Sequence, residues 1–318
     1  MRQLLLTFLI LASLQLSAQT IINRYTPQTG SIELADGIEI PKVSSGYTLY
    51  LPDGGKPDGM LVFLHARSDT AHTDSLIDMA LGHNLAALFA TTEHRFEWLF
   101  TDDKLLELEG YLHEVITEHS IPASNMLYCG MSLGGTRVIR FAQWSKTERS
   151  KHNYSPRAIA VCDAPLDMVR FYAETQRAIA TNYAPVAVNE ATWVASVLRQ
   201  NLGGTPTESM KAYAEYSTYC YTSPDTAKLI ALKGIAIRAY TEPDINWWIE
   251  NRRKDYYGMN STDLAALIND LKIQGHEVAE LMITHDKGYY DDGRRHPHNW
   301  SIVDEREMLD WFVGLPRN

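Results

Sequence analysis

Along the chain, short continuous apolar runs alternate with longer amphipathic stretches. Residues 60–64, 85–90, 125–129, 158–162, 234–240 and 278–284 are strand-length runs with few polar interruptions, the pattern of strands buried on both faces. Between them, 74–81 and 133–144 carry helical stripes, the second through Val138, Phe141 and Ala142. In 102–119 the apolar positions are Leu105, Leu108, Leu112, Val115 and Ile116, and Pro122 follows the end. In 264–271 they are Leu264, Leu267, Ile268 and Leu271, with Gly275 as the stop. Trp300, Val303, Leu309, Phe312 and Val313 mark a terminal helix. Residues 31–40 and 47–51 read as an antiparallel opening hairpin or meander, with Pro52-Asp53-Gly54-Gly55 as turn chemistry. Strands separated by helices predict an α/β fold: a mostly parallel twisted sheet with helices on both faces.

The alternation lapses between 164 and 229. Segments 168–179, 190–198 and 208–219 favour helix and are rich in aromatic residues, which predicts a helical cap inserted over the carboxyl ends of the strands. Arg2, the apolar stretch 4–16 and the small residue Ala18 predict a secretory signal peptide over 1–18. The expected product is an exported protein, periplasmic or extracellular, with 19–318 as a single domain and no membrane span. The formal net charge is −10, and no basic run occurs, which argues against nucleic acid or an anionic membrane as partner. Cys129 and Cys162 fall in apolar runs expected to be neighbouring core strands, whereas Cys220 lies in a Tyr-rich segment that could be exposed. Three cysteines without a CxxC pair make neither a disulfide framework nor a metal site.

Chemistry enters at Gly130-Met131-Ser132-Leu133-Gly134. This Gly-x-Ser-x-Gly motif sits between a predicted strand and a predicted helix, the context of a nucleophile elbow. Gly130 and Gly134 would leave room for the strained turn, since neither brings a Cβ into the bend. In parallel sheets the site lies beyond the carboxyl ends of the strands, which is where Ser132 is expected.

A serine hydroxyl needs a base to take its proton and a third group to orient that base. His298, in the loop before the terminal helix, is the candidate base. His296 is the alternative, restricted by Pro297. Asp244, in the loop after 234–240, is the candidate acid, with Glu242 and Asp163 as alternatives; the competing reading of each is a turn or cap carboxylate. The developing oxyanion needs preorganised N–H donors, assigned to the backbone of Leu133 and of Arg67. His65 is read as a structural loop residue, because its sequence neighbours make no metal set.

These residues resemble the α/β-hydrolase superfamily over nearly the whole mature chain. Residues 121–128, followed by Gly130-Met131-Ser132-Leu133-Gly134-Gly135, look most like secreted esterases of the feruloyl and acetyl-xylan type. They are also similar to the catalytic domain of prolyl-oligopeptidase-like peptidases. The order Ser132, Asp244, His298 is the superfamily's order. The resemblance implies the α/β-hydrolase fold and acyl-enzyme chemistry without a cofactor. One departure is His65-Ala66, where the family's oxyanion loop usually has His-Gly.

Trp247, Trp248 and Arg294 are the candidate substrate-binding residues. Aromatic faces suit sugar rings or aryl esters, and an arginine suits a carboxylate or sulfate. The competing readings are core packing for the aromatics, including Tyr172, Tyr183, Tyr213, Tyr216, Tyr219 and Tyr221, and pairing with Asp291 or Asp292 for Arg294 and Arg295. The function expected is a secreted serine hydrolase, a carboxylic ester hydrolase acting on small-molecule or glycan esters. A serine peptidase of the same fold and a catalytically inactive binding module are the alternatives.

Overall fold

The computed structural model describes residues 20–68, 70–93 and 101–317; the signal peptide expected over 1–18 lies outside them. The chain opens with strands β1 (Thr20–Thr26), β2 (Ser31–Ala35), β3 (Ile38–Pro41) and β4 (Ser45–Leu51). Alternation follows: β5 (Gly59–Phe63), α1 (Ala71–Gly82), β6 (Leu85–Thr91), α2 (Asp102–His119), β7 (Met126–Met131), α3 (Leu133–Trp144) and β8 (Ala158–Cys162). Four helices come next, α4 (Met168–Thr181), α5 (Pro185–Asn201), α6 (Pro206–Tyr216) and α7 (Thr226–Ala231). The chain closes with β9 (Ala236–Thr241), α8 (Ile245–Arg252), α9 (Ser261–Ile273), β10 (Ala279–Ile283) and α10 (Glu305–Gly314).

Eight strands form one sheet in the order β1-β4-β6-β5-β7-β8-β9-β10. From β6 to β10 every neighbouring pair is parallel, and β4 runs antiparallel to both β1 and β6. The period of two along each strand divides the core between the two faces. Met60, Val62, Tyr128, Ile159 and Val161 join Leu105, Leu108 and Leu112 of α2, Val138 of α3 and Leu264, Leu267 and Leu271 of α9. Leu61, Phe63, Leu127, Cys129, Ala160 and Cys162 join Leu76 and Ile77 of α1 and Met308, Leu309 and Phe312 of α10. Helices therefore cover both faces, and the central strands β5, β7 and β8 are buried except for Met131 at the end of β7.

The opening strands depart from the expected meander. β2 and β3 pair only with each other, and Leu34, Ala35 and Ile40 pack against Val197 of α5. β4 pairs instead with β1, a strand whose residues are nearly all exposed and which therefore has no apolar stripe to betray it. The terminal helix also starts later than its apolar spacing suggested. Asp304 caps it by accepting the Glu307 N–H, and Trp300–Ile302 is a 3-10 turn. Cys220, whose Tyr-rich segment left exposure open, is buried, with 3% of its surface exposed. All three cysteines are free thiols, and burial pushes the Cys129, Cys162 and Cys220 thiols up.

Helices α4–α6 have their own small core of Met168, Tyr172, Val194, Leu198 and Tyr213, with Leu133 of α3 against it. α7 sends Leu229 into the core of the main sheet. Among the described residues no helix is long and apolar enough to cross a membrane.

Candidate active site

Ser132 follows β7 and caps α3 with φ 53° and ψ −129°, a region that costs a non-glycine residue about 1–3 kcal/mol. Two backbone hydrogen bonds hold it there. The Ser132 N–H donates to the Cys162 carbonyl at 2.9 Å, and the Thr136 N–H donates to the Ser132 carbonyl at 3.1 Å. The bend needs glycine at Gly130, where a Cβ would stand 2.3 Å from the Gly134 carbonyl oxygen, and at Gly135, where it would meet the Ala164 Cβ at 2.7 Å. At Gly134, expected from the motif to be the second tight point, a Cβ would meet only the edge of the His65 ring, at 3.1 Å. Close helix–strand packing thus falls on Gly135.

His298 Nδ1 lies 2.6 Å from Asp163 Oδ2. The candidate acid is therefore Asp163, and the assignment to Asp244 is corrected. The cause is strand order. Asp163 follows β8, the strand beside the serine strand, and the Ser132 N–H itself bonds the residue before Asp163. Asp244 follows β9, one strand spacing (about 4.8 Å) further from the serine strand. There it caps α8 by accepting the Trp247 N–H at 3.0 Å, and its other oxygen accepts from Arg295. Arg295 also donates to Glu242 at 3.0 Å, so both carboxylates of the β9 loop are held by the guanidinium three residues before His298. The chain then turns back toward β8, with the Asn299 carbonyl 3.9 Å from the Cys162 Sγ and Trp300 edge-on to Phe63 of β5.

Asp163 is itself constrained. It sits at φ 39°; its N–H donates to the Tyr240 carbonyl at 2.9 Å, and its carbonyl accepts from Asn260 Nδ2 at 2.9 Å. The same loop is anchored by buried Asp263, which accepts from the Leu166 and Asp167 N–H groups and pairs with Arg170. The sequence did carry one sign of Asp163: it is the first polar residue after the run 158–162, at the carboxyl end of a strand buried throughout.

His296 packs beside the candidate base. Its Nδ1 accepts the His298 N–H at 3.2 Å, and its ring lies edge-on to Trp247 and Trp248 at 4.6 and 5.5 Å. Burial, then the charges of His298 and Arg252, lower its pKa to about 4, so it is neutral at neutral pH and can accept that bond. His65 is likewise lowered to about 4, by burial and, secondarily, by Arg137. Its Nδ1 lies 2.8 Å from the Ala66 carbonyl, a loop contact that agrees with a structural reading.

Ser132, Asp163 and His298 line one cavity of about 900 Å³, together with His65, Leu133 and Gly134. Phe171, Asn189, Glu190 and Trp193 of α4 and α5 close one side; Trp248, Arg252 and Lys254 form another. Leu133 is the first residue of α3, so its N–H has no partner within the helix and lies at the positive end of the helix dipole. Arg67 is absent from this lining. Its guanidinium pairs with Asp74 and lies over Tyr50, beside a second cavity. The residues of its loop that reach the main cavity are His65 and Ser68.

Of the candidate binding residues, only Trp248 lines the cavity. Trp247 packs on His296, and Arg294 pairs with Asp292 on the surface with its side chain 77% exposed. Tyr172, Tyr213 and Tyr219 are core residues. The aromatic wall comes instead from Phe171, Trp193, Trp248 and Tyr290. Among the described residues no group of three or more His, Cys, Asp or Glu side chains is gathered for a metal ion.

The Asp244–Arg295 pair has a pH signature. Burial pushes the Asp244 carboxyl up, but the Trp247 N–H and Arg295 outweigh it and hold the group below its ordinary value of 3.8. A depressed carboxyl stabilises the fold above its unfolded pKa and loses that contribution as pH falls through the folded one. Asp244→Ala should therefore cost about 1 kcal/mol at pH 7. In urea unfolding the gap from the parent protein should narrow below about pH 4.

No protein-family model and no curated protein matches the chain. Solved structures do resemble it. An acylaminoacyl peptidase in complex with a chloromethyl ketone superposes with a TM-score of 0.52 at 11% identity, over 93% of this chain and 42% of the peptidase. This chain thus spans under half of that protein's length. An esterase from Pyrobaculum calidifontis gives 0.51 at 12% identity, over 92% and 84% of the two chains. Carboxyl esterase 2 from the fungus Tuber melanosporum gives 0.53 at 13% identity, over 91% and 86%. By sheet order, elbow and these likenesses, the chain has the α/β-hydrolase fold.

Proposed function

We propose that this protein is a serine hydrolase that cleaves carboxylic esters of small acyl or carbohydrate-linked type through an acyl-enzyme. The observation that carries the reading is the 2.6 Å contact of His298 Nδ1 with Asp163, in the wall of the cavity that Ser132 also lines. With Nδ1 held by a carboxylate, Nε2 is the nitrogen left to take a proton. Ser132 Oγ gives its proton to His298 and attacks the ester carbonyl. Asp163 fixes the imidazole tautomer and stabilises the imidazolium that forms. The Leu133 N–H receives the oxyanion, and the second donor is a backbone N–H of the 65–68 loop, that of Arg67 by the sequence reading. His298 returns the proton to the departing alcohol, and water then repeats the sequence on the acyl-enzyme.

The test is covalent labelling with a fluorophosphonate, followed by turnover of 4-nitrophenyl acyl esters, acetylated and feruloylated glycans, and peptide amides. Labelling at Ser132 with ester turnover supports the reading. Turnover of amides in preference to esters would make the protein a peptidase of the same fold, and absence of labelling would make it a binding protein on this scaffold. The export expected from residues 1–18 belongs to the same proposal and is checked by locating the protein after expression with its own leader.

A further inference from the structure

One wall of the cavity is basic in a chain whose net charge is −10. Residues 252–254 read Arg-Arg-Lys, and each cation rests on an aromatic ring: Arg252 over Trp247, Arg253 over Tyr183 and Lys254 over Trp248. Arg252 and Lys254 line the cavity. Lys254 is neutralised by Glu174 at 2.7 Å. Arg252 is not: among the described residues its guanidinium donates to the Asn251 carbonyl at 3.0 Å and has no carboxylate within ion-pair distance. Arg137, which also lines the cavity, is buried and donates to the Leu64 carbonyl, and outside the lining Arg170 pairs with Asp263 and Arg295 with Glu242 and Asp244. The acids that line the cavity are Asp163, bonded to His298, and Glu190 on α5.

We propose that the substrate is an ester that also carries a carboxylate, which Arg252 receives while an apolar or ring portion lies against Trp248; this rests on the hydrolase reading above. A guanidinium prepositioned on an indole face loses little freedom on pairing, and its planar fork matches a carboxylate bidentately. A neutral ester of the same shape leaves that fork in water.

The experiment compares matched esters that differ only in charge. With the carboxylate on the acyl side, the pair is 4-nitrophenyl hydrogen adipate and 4-nitrophenyl methyl adipate; on the alcohol side, it is 4-acetoxyphenylacetate and its methyl ester. In the parent protein kcat/KM for the charged member of one pair should exceed that for the neutral member by about 10- to 100-fold. The difference should lie in KM and shrink with added salt. In Arg252→Gln that charged-to-neutral ratio should fall toward one, and Arg252→Lys should restore part of it. Equal rates for both members of both pairs in the parent protein, or a ratio untouched by Arg252→Gln, overturns the proposal. If no ester is turned over, calorimetric binding of the same pairs to Ser132→Ala still decides. Tighter binding of a charged member, lost in Ser132→Ala/Arg252→Gln, keeps the anion site while the hydrolase reading fails. Equal binding ends the proposal of an anion site.

Discussion

Replacing Ser132 with alanine is expected to lower kcat on a good ester by about 10⁶-fold and to leave the protein folded. The hydroxyl is held at the carboxyl end of β7 by backbone bonds that an alanine would keep. The strain of φ 53° remains in alanine, because it belongs to the Cβ. Ser132→Gly is therefore an informative companion. It should be as inactive as Ser132→Ala yet more resistant to urea by about 1 kcal/mol, since glycine takes that backbone conformation without strain. Single-turnover kinetics and equilibrium unfolding of the two variants check both halves. Residual activity within about 100-fold of the parent in Ser132→Ala would remove Ser132 from the mechanism.

The second large effect is expected at Asp163. Asp163→Asn should reduce kcat/KM by about 10⁴-fold, because an amide in place of the carboxylate favours the wrong imidazole tautomer and cannot stabilise the imidazolium. The backbone bonds of Asp163 to Tyr240 and Asn260 use main-chain atoms and survive the change, so the loss should appear without a large change in unfolding. Asp244→Asn, measured beside it, should stay within about tenfold of the parent rate, since an asparagine still caps α8. Equal losses at both positions, or a larger one at Asp244, would return the acid to the β9 loop.

Sequence pattern alone determined the α/β alternation, the elbow serine and the histidine before the last helix, because each depends on a local property. Burial on both faces leaves a continuous apolar run, a strand-to-helix bend leaves glycines, and the last loop leaves an imidazole beside a helix start. The acid was a different kind of question. Asp163, Glu242 and Asp244 all follow parallel strands, and nothing local separates a carboxylate that orients an imidazole from one that caps a helix or binds an arginine. Only the tertiary structure shows which of them meets His298: it lays β8 beside the serine strand, puts Asp163 against that ring and commits Asp244 to α8 and Arg295. The same holds for Gly135 against Gly134 and for Arg252. Proximity between segments a hundred residues apart is set by strand order and side-chain competition, and neither is written in the spacing along the chain.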